Sequence, residues 1–530
     1  MINYESMIAI GYDYGTTTSW MATLKENGES KLASMCSDLF LCNNGNNLLF
    51  DEHALRSRGT QGAYIKSPKR FIARADWTGF EGKYGLCLRD AIGKFTANLI
   101  DRIGDCRPAE DRPAHITITI PNSYDGERMR YMRHCFERLF AERYDKFILH
   151  LLPEPIAAAL HYAMHTPIPG GVEERRYLVI CDIGGGTTDL ATIFLHRKKV
   201  ADNRYDVCFR VVATTSDSVL GGDDIDEMLF NFVLRDIHND PTEGLSRLAD
   251  QVDARKRITD SKIQLSGTEA SDVELTLHDN SRKVYRLTRK MIKDELQLTA
   301  LETHSHTFHE RLNGLMHQLK NETEMQYKEA GFGTFDWSNV ILLPVGGSMR
   351  MPLLREEFQR VFSKATMHDM ATEARETYDS VVYGAMYYSM IMNHMPSNIR
   401  EVKIEGRSRH PLSVAYLDNR LHSLVHANMP DGMYQTDALR PLRIEADGTF
   451  ELTTLRLFLR DGDSVNANDQ ADYVFEINQV FQSNGRAAGD IPITLRVEMK
   501  NGELASAMIF IPAVDAEGND FEKNVYPYNK

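Results

Sequence analysis

Apolar residues in the first 394 positions follow two patterns, which are short β-type runs and helical spacing. Ala114 to Ile120 is a run of the first kind, and Leu88 to Asp101 shows helical spacing. Two longer helices are predicted further on, over Leu245 to Leu265 and Arg289 to Tyr327. Strands that alternate with helices predict an α/β architecture, in which helices cover the faces of sheets.

Near Met395 the helical spacing stops and alternation begins. Every second residue from Ile493 to Met499 is apolar, and Asn501-Gly502 supplies a hairpin turn signal. This change of pattern predicts a separate β domain. The predicted parts are an α/β domain over residues 1–394, a β-rich domain over 395–513 and a loose polar tail over 514–530.

The most informative stretch is Val179 to Ala191, VICDIGGGTTDLA, which predicts a strand, a glycine turn and a second strand. Glycines leave backbone N–H groups accessible to an anion, and Thr187 adds a hydroxyl donor. Asp182 and Asp189 repel a bare phosphate but suit one that carries Mg²⁺. An ordinary glycine-rich hairpin is the alternative. The glycines are Gly184, Gly185 and Gly186.

A second copy of this pattern lies near the N-terminus, where Ile8 to Met21 reads IAIGYDYGTTTSWM. Asp13 follows an apolar run and precedes Gly15, Thr16 and Thr17. Chance explains one such turn easily and two poorly. The pair predicts that two lobes hold one polyphosphate from opposite sides.

Two charged residues are candidates for the chemistry. Lys69, in IKSPKRFIA, could stabilise charge on a γ-phosphate, although such lysines more often belong to a solvated surface. Glu154 lies between two prolines at a strand-to-helix corner, which fixes its backbone. The alternative for Glu154 is a helix-entry acid that the helix dipole favours.

Three further features follow downstream, and only the last of them indicates a nucleotide contact from its residues alone. One is a glycine turn in LGGDDID, another is a lysine and a serine one helical turn apart, and the third is a glycine turn that lacks an acid. The last fits a sugar or base better than a phosphate. The residues are Gly221 and Gly222, Lys262 and Ser266, and Gly346, Gly347 and Arg350.

Composition narrows the classes of partner. At 530 residues the chain is too long for one core, and its net charge of −14 argues against nucleic acid or an anionic membrane as the main partner. The seven cysteines are scattered, which favours reduced thiols. No signal peptide and no apolar run of roughly 20 residues is visible, so a cytoplasmic location is expected.

Taken together, five motifs resemble those of the 70-kilodalton heat-shock chaperone family, within the actin-like ATPase superfamily. The resemblance covers residues 8 to about 393 well and the β domain weakly. It implies two actin-like α/β lobes around a cleft, followed by a small β-sandwich. The motifs, in the family's order, are IGYDYGTTTS, SPKRFIA, LLPEPIAAAL, ICDIGGGTTD and LLPVGGSMRMP.

The resemblance also implies roles for individual residues. Lys69, Glu154, Asp182 and Thr187 take catalytic positions, and Asp13, Glu154, Asp182 and Asp189 take metal positions. Pro121 and Arg128 stand where the family has a proline switch and its partner arginine. The nucleotide positions are Gly15, Thr16, Thr17, Gly184, Gly185, Gly186, Gly221, Gly222, Lys262, Ser266, Gly346, Gly347, Arg350 and Asp379.

Three departures from the family pattern limit what is implied. Thr259 stands where the family usually has a glutamate that contacts adenosine. The link between domains reads HMPSNIREVKIEG and lacks the family's acidic, leucine-rich segment. The sequence ends before a helical lid, so capture of a peptide beneath a lid is not implied.

The expected function is slow ATP hydrolysis that is coupled to a client-binding β domain, as in a chaperone. The implied cofactors are ATP or ADP with Mg²⁺, and K⁺ as an optional further cation. The expected partner is an unfolded peptide or protein, and co-chaperones are not supported. Two alternatives stay open: a small-molecule kinase of the same superfamily, and a nucleotide-binding scaffold or filament protein.

Overall fold

The computed structural model divides the chain into two compact units, Met1–Tyr124 with Arg128–Val402, and Asp125–Glu127 with Lys403–Lys530. The structure describes residues 8–25, 27–42, 47–57, 61–104, 113–122, 124, 126–144, 146–201, 204–217, 219–238, 241–301, 305–368, 376–405, 412–415, 419–425, 432–441, 443–458, 464–466, 471, 473–500 and 503–525.

The first part of the chain forms a mixed sheet with its own apolar core. The sheet has the strand order β3-β2-β1-β7-β8, and β5-β4-β6 form a smaller sheet. The elements are β1 (Ile8–Asp13), β2 (Thr18–Lys25), β3 (Ser30–Cys36), β4 (Leu39–Cys42), β5 (Leu48–Phe50), α1 (Asp51–Arg56), β6 (Gly62–Ile65), α2 (Lys69–Ala73), α3 (Trp77–Tyr84), α4 (Leu88–Ile103), β7 (Ala114–Ile120), α5 (Gly126–Arg143), β8 (Phe147–Pro153) and α6 (Glu154–His165).

The next part forms a second sheet over a separate apolar core, with the strand order β15-β14-β9-β10-β11-β16, and a hairpin of β12 and β13. Its elements are β9 (Glu173–Ile183), β10 (Thr188–Ala201), β11 (Arg204–Asp217), α7 (Gly222–His238), α8 (Pro241–Arg247), α9 (Gln251–Gln264), β12 (Ala270–Thr276), β13 (Arg282–Thr288), α10 (Arg289–Leu298), α11 (Phe308–Glu329), β14 (Val340–Val345), α12 (Pro352–Val361), β15 (Thr366–Met367), α13 (Glu376–Met392) and β16 (Ile399–Glu405).

Helices α6 and α13 join the two sheets. Each helix contacts strands of both sheets, and the two helices also pack on each other. The approach is close because Gly384 of α13 lies against Ala157 of α6, where an added Cβ would stand 1.9 Å from the Ala157 carbonyl oxygen. The Ser389 hydroxyl donates to the Ile10 carbonyl oxygen at 2.8 Å, which ties α13 to β1. Two lobes are thereby held along a shared pair of helices.

Two predicted helices are interrupted, so the prediction of continuous helices is wrong. The segment Leu245 to Leu265 contains the end of α8 and then α9, which begins where the Asp250 carboxylate accepts from two backbone N–H groups. The segment Arg289 to Tyr327 contains α10 and α11. Thr307 and Glu310 form a capping box that starts α11 afresh. Local caps therefore outweigh the continuous helical spacing.

In the second unit, two four-stranded antiparallel sheets share one apolar core, with the strand orders β18-β17-β20-β21 and β19-β22-β23-β24. The expected hairpin turn at Asn501-Gly502 lies outside the described residues. The strands are β17 (Leu412–Ala415), β18 (Leu421–Val425), β19 (Gly432–Leu439), β20 (Thr449–Phe458), β21 (Tyr473–Gln482), β22 (Ile493–Lys500), β23 (Glu503–Ile511) and β24 (Phe521–Val525).

The prediction of a loose tail from residue 514 is wrong. Val514 is buried, and β24 pairs with β23 along Ala507 to Ile511. The segment looked polar because β24 is an edge strand in which Glu522, Lys523 and Asn524 lie between Phe521 and Val525. Hence the last sheet extends to Val525.

Two sequence expectations concern the cysteines and membrane-spanning helices. Among the described cysteines, Cys42, Cys87, Cys135 and Cys181 are free thiols, and the last two are buried, while Cys106 lies outside the described residues. Among the described helices, none combines the length and apolar character that crossing a membrane requires.

Candidate functional site

One cavity of about 290 Å³ collects most of the predicted site residues. Its walls come from the ends of β1 and β9, the starts of α2, α6 and α7, one face of α9 and the turn after β14. The predicted residues that line it are Asp13, Gly15, Thr16, Thr17, Lys69, Glu154, Asp182, Gly184, Gly185, Thr187, Gly222, Lys262, Ser266, Gly346 and Gly347.

The two predicted phosphate turns touch each other in this cavity. The Gly186 backbone N–H donates to the Thr16 hydroxyl at 3.1 Å. A Cβ on Gly185 would stand 1.6 Å from the Thr17 hydroxyl oxygen, so only glycine permits this approach. The two turns, which lie far apart in the sequence, thus present their amides and hydroxyls to one space.

The second turn is braced by its neighbours. The Gly184 N–H donates to the Thr187 carbonyl oxygen at 3.0 Å, which closes the turn. The Gly184 carbonyl oxygen accepts from the Gly222 N–H at 2.9 Å and from the Ser348 hydroxyl at 3.0 Å. Gly346 has φ of +83°, and an added Cβ would stand 2.4 Å from an Asp182 carboxylate oxygen. These contacts fix the turn before any ligand binds.

Lys69 and Glu154 form a buried ion pair. The Lys69 Nζ lies 3.1 Å from Glu154 Oε1, and the two side chains are 3% and 8% exposed. Burial acts to lower the Lys69 pKa, but Glu154, Tyr124 and Asp13 outweigh it, so the pKa is raised. Lys69 therefore stays charged and can stabilise an anion in the cavity.

Two carboxylates at the cavity are held in a setting that disfavours their charge. Burial raises the pKa of Asp13 to about 6, and Glu154 adds to this while Lys69 opposes it. Burial raises the Asp182 pKa far more, with further repulsion from Glu154, Asp189 and Asp13. A bound cation would relieve this repulsion, so the carboxylates fit a magnesium ion.

The acids do not form a direct coordination shell. Among the described residues, no three carboxylate, imidazole or thiol groups are placed to hold a metal together. The set fits Mg²⁺ that keeps several waters, as this ion does with one or two carboxylates and a polyphosphate. The Thr119 hydroxyl donates to Asp13 Oδ1 at 2.9 Å and orients that carboxylate.

Asp189 lies away from the cavity wall. It is buried, and its Oδ1 accepts from the Asn122 N–H at 3.1 Å, beside Pro121. The side chain of Arg128 donates to the Ala73 carbonyl oxygen at 3.0 Å. The structure thus places Asp189 as a brace on the loop that follows β7.

The far end of the cavity is formed by α9. The Lys262 Nζ lies 2.8 Å from Asp226 Oδ1 and donates to the Gly222 carbonyl oxygen at 3.0 Å. Burial raises the Asp226 pKa, and Lys262 opposes that shift. Thr259 and Ser266 also line this end. The other predicted residues that do not line the cavity are Gly186, Gly221, Arg350 and Asp379.

Sequence reasoning missed several residues of the site. Asp223 of α7 receives ion pairs from Arg70 and, at 3.4 Å, from Lys66. These pairs link the start of α2 to the start of α7. The first aspartate of LGGDDID is the only signal that could have pointed to Asp223. Further missed lining residues are Thr18, Trp20, Ile225, Asp226, Ile263, Ser348, Met351 and Val381.

The model of the family described as Hsp70 protein matches residues 148–429, more than half of the chain. This chain belongs to the Hsp70 family. The family assignment from the five motifs is therefore confirmed, and the mixed α/β fold with several sheets fits an Hsp70 actin-like ATPase.

Individual relatives are distant. The chain is 25% identical over 396 residues to a Chaperone protein HscA homolog of Methylococcus capsulatus, covering 69% of this chain and 56% of that protein. It is 24% identical over 397 residues to Chaperone protein DnaK of Ureaplasma urealyticum, covering 72% and 58%. This Hsp70-family chain thus spans somewhat over half the length of these curated relatives.

Proposed function

We propose that this Hsp70-family chain binds ATP with Mg²⁺ and hydrolyses it slowly. The observation that carries the proposal is that two glycine–threonine turns, Lys69 and two carboxylates line one cavity. The pKa values of both carboxylates are raised by burial. Amides and hydroxyls would bind phosphate oxygens, and acids would hold the cation through water.

Each group has a defined task in the proposal. Lys69 would stabilise the negative charge of the transferred phosphoryl group, and Glu154 holds Lys69 in place through their ion pair. Thr187 and the two turns would position the polyphosphate. When bound, Mg²⁺ would neutralise charge on the phosphate oxygens. Positioning and electrostatics supply nearly all of the acceleration in such reactions.

We further propose a chaperone role, in which the strands from β17 to β24 form a β-sandwich that binds an unfolded protein. Two sheets that share one core support the sandwich, and the names of the relatives support the role. Hydrolysis by the whole chain should then rise when a permanently unfolded protein is added, and not with its native form. Stimulation by a metabolite instead, with phosphate transferred to it, would favour the kinase alternative.

The test of hydrolysis uses Lys69→Ala in the whole chain. Because it removes the only predicted cation beside the γ-phosphate, turnover should fall about 100-fold or more. The matched control is Lys293→Ala, an exposed lysine on α10, which should keep its turnover. Equal turnover of Lys69→Ala and the parent chain would remove Lys69 from the mechanism.

A further inference from the structure

A second cavity, of about 540 Å³, lies in the same unit and shares no lining residue with the first. It is enclosed by the C-terminal half of α11, the turn that follows it and the end of α12. Its volume falls within the range of roughly 300–1,000 Å³ that is typical of small-molecule pockets. Size alone therefore permits an organic ligand.

The floor of this cavity is aromatic. Phe335, Trp337 and Phe362 line it and are almost fully buried. The Trp337 ring centroid lies 4.7 Å from that of Phe335 and 5.1 Å from that of Phe362. The Trp337 Nε1 donates to Glu324 Oε1 at 2.7 Å, which fixes the indole ring. A planar apolar group can pack on such a preformed set of rings.

The rim of the cavity is cationic. Lys320, Lys328 and Lys364 line it, against the single carboxylate of Glu324. None of these lysines forms an ion pair with a carboxylate of the described part of the chain. The lining thus carries two excess positive charges in a chain whose net charge is −14. An anion is favoured there because the three lysines outnumber the nearby carboxylates, which are Glu324 in the lining and Asp336, whose charge interacts with that of Lys364.

We propose that this cavity binds a small organic anion that carries a planar aromatic group. The lysines would attract the anionic part, and the aromatic floor would receive the ring. The inference does not depend on nucleotide binding at the first cavity, since the two walls share no residue. A negative result for ligand binding at the second cavity would therefore leave the proposed ATP hydrolysis unaffected, and a negative result for ATP hydrolysis would leave this proposal unaffected.

The test is calorimetric titration of the whole chain with naphthalene-2-sulfonate and with its neutral analogue naphthalene-2-sulfonamide. The sulfonate should bind about tenfold more tightly, and added salt should weaken it. The double variant Lys328→Gln/Lys364→Gln should weaken sulfonate binding about tenfold, because each lysine contributes a few-fold. Lys293→Gln is the matched control and should bind like the parent chain.

Tryptophan fluorescence locates the bound probe. Trp337 lines the second cavity, Trp20 lines the first, and Trp77 stacks on Tyr131 away from both linings. The emission change on adding the sulfonate should persist in Trp20→Phe and disappear in Trp337→Phe, while calorimetry still detects binding in both.

Four results would overturn the proposal: no sulfonate binding up to millimolar concentration, equal affinity for the sulfonamide, unchanged affinity in the double lysine variant, or an emission change that survives Trp337→Phe. Binding of a glutamate-rich peptide without binding of the sulfonate would also overturn it, because the occupant would then be a macromolecule.

Discussion

The two cavities of the first unit are built in opposite ways. The first draws on turns that lie as far apart in the sequence as Gly15 and Gly346, and it concentrates carboxylates around Lys69. The second comes from residues 320–364, and it surrounds one carboxylate with three lysines. The first demands glycine backbones and buried charge, whereas the second needs only ordinary side chains on two helices and a turn. Function at the first should therefore be far more sensitive to single changes.

The largest expected effect is that one lysine affects only ATP turnover and another affects only sulfonate binding. Lys69→Met should lower ATP turnover about 100-fold, because the cation beside the phosphoryl group is lost. It should change naphthalene sulfonate affinity less than twofold. Lys328→Met should leave turnover unchanged and weaken the sulfonate a few-fold. Steady-state kinetics and calorimetry on both variants check this. If Lys69→Met also weakened sulfonate binding, or Lys328→Met also lowered turnover, the two cavities would form one functional site.

A methyl group on the second phosphate turn should have the next largest effect. In Gly185→Ala the added Cβ meets the Thr17 hydroxyl at 1.6 Å, so the turns must separate. We expect ATP affinity to fall about 30-fold by calorimetry, since overpacking typically costs ~2 kcal/mol. The control Gly93→Ala lies inside α4 with no atom within 4 Å of the new Cβ, and it should be stable and fully active. Normal ATP affinity in Gly185→Ala would mean that the two turns do not share a ligand.

Burial raises the pKa of two carboxylates at the first cavity, so we expect Tm and its increase on ligand binding there to depend on pH. No such dependence is expected for ligand binding at the second cavity. The Asp13 pKa is raised to about 6 from an ordinary 3.8. Its stabilising contribution is complete below pH 3.8 and is lost as pH rises through 6, so the ligand-free Tm should fall across this window. Mg²⁺ with ATP should raise Tm more at pH 7.5 than at pH 5.5, since protons compete with the cation. In thermal scans of Asp13→Asn, the ligand-free Tm and the increase in Tm on adding Mg²⁺ with ATP should both depend less on pH. An unaltered pH profile would contradict the raised pKa of Asp13.

The smallest expected effect is spectroscopic. ATP should change the emission of Trp20, which lines the first cavity. The change should vanish in Trp20→Phe and survive in Trp337→Phe. The reverse pattern would place ATP in the second cavity.

These differences also explain which features the sequence could predict. The strand Ala114 to Ile120 is confirmed with the bounds of β7, because its continuous β-type run is unambiguous. The first cavity was predictable because glycine and threonine turns with an acid at fixed spacing are rare. The second cavity was not, since Phe335, Trp337 and Phe362 look like ordinary core residues and the lysines like a solvated helix face.

Other misses have local causes. The break before α11 depends on the capping box of Thr307 and Glu310, which competes with an uninterrupted helical pattern. Asp189 has the motif position of a metal acid, but only tertiary structure shows that it bonds the Asn122 N–H. The salt bridges of Asp223 join distant segments, and no local pattern encodes them.

The most direct test of the central claim is calorimetric titration of the intact chain with ATP, with Mg²⁺ and again with excess EDTA. If two glycine turns and two buried carboxylates serve one metal–polyphosphate, binding should show one site per chain and should weaken at least tenfold without Mg²⁺. No detectable ATP binding, or equal affinity with and without Mg²⁺, would contradict the account.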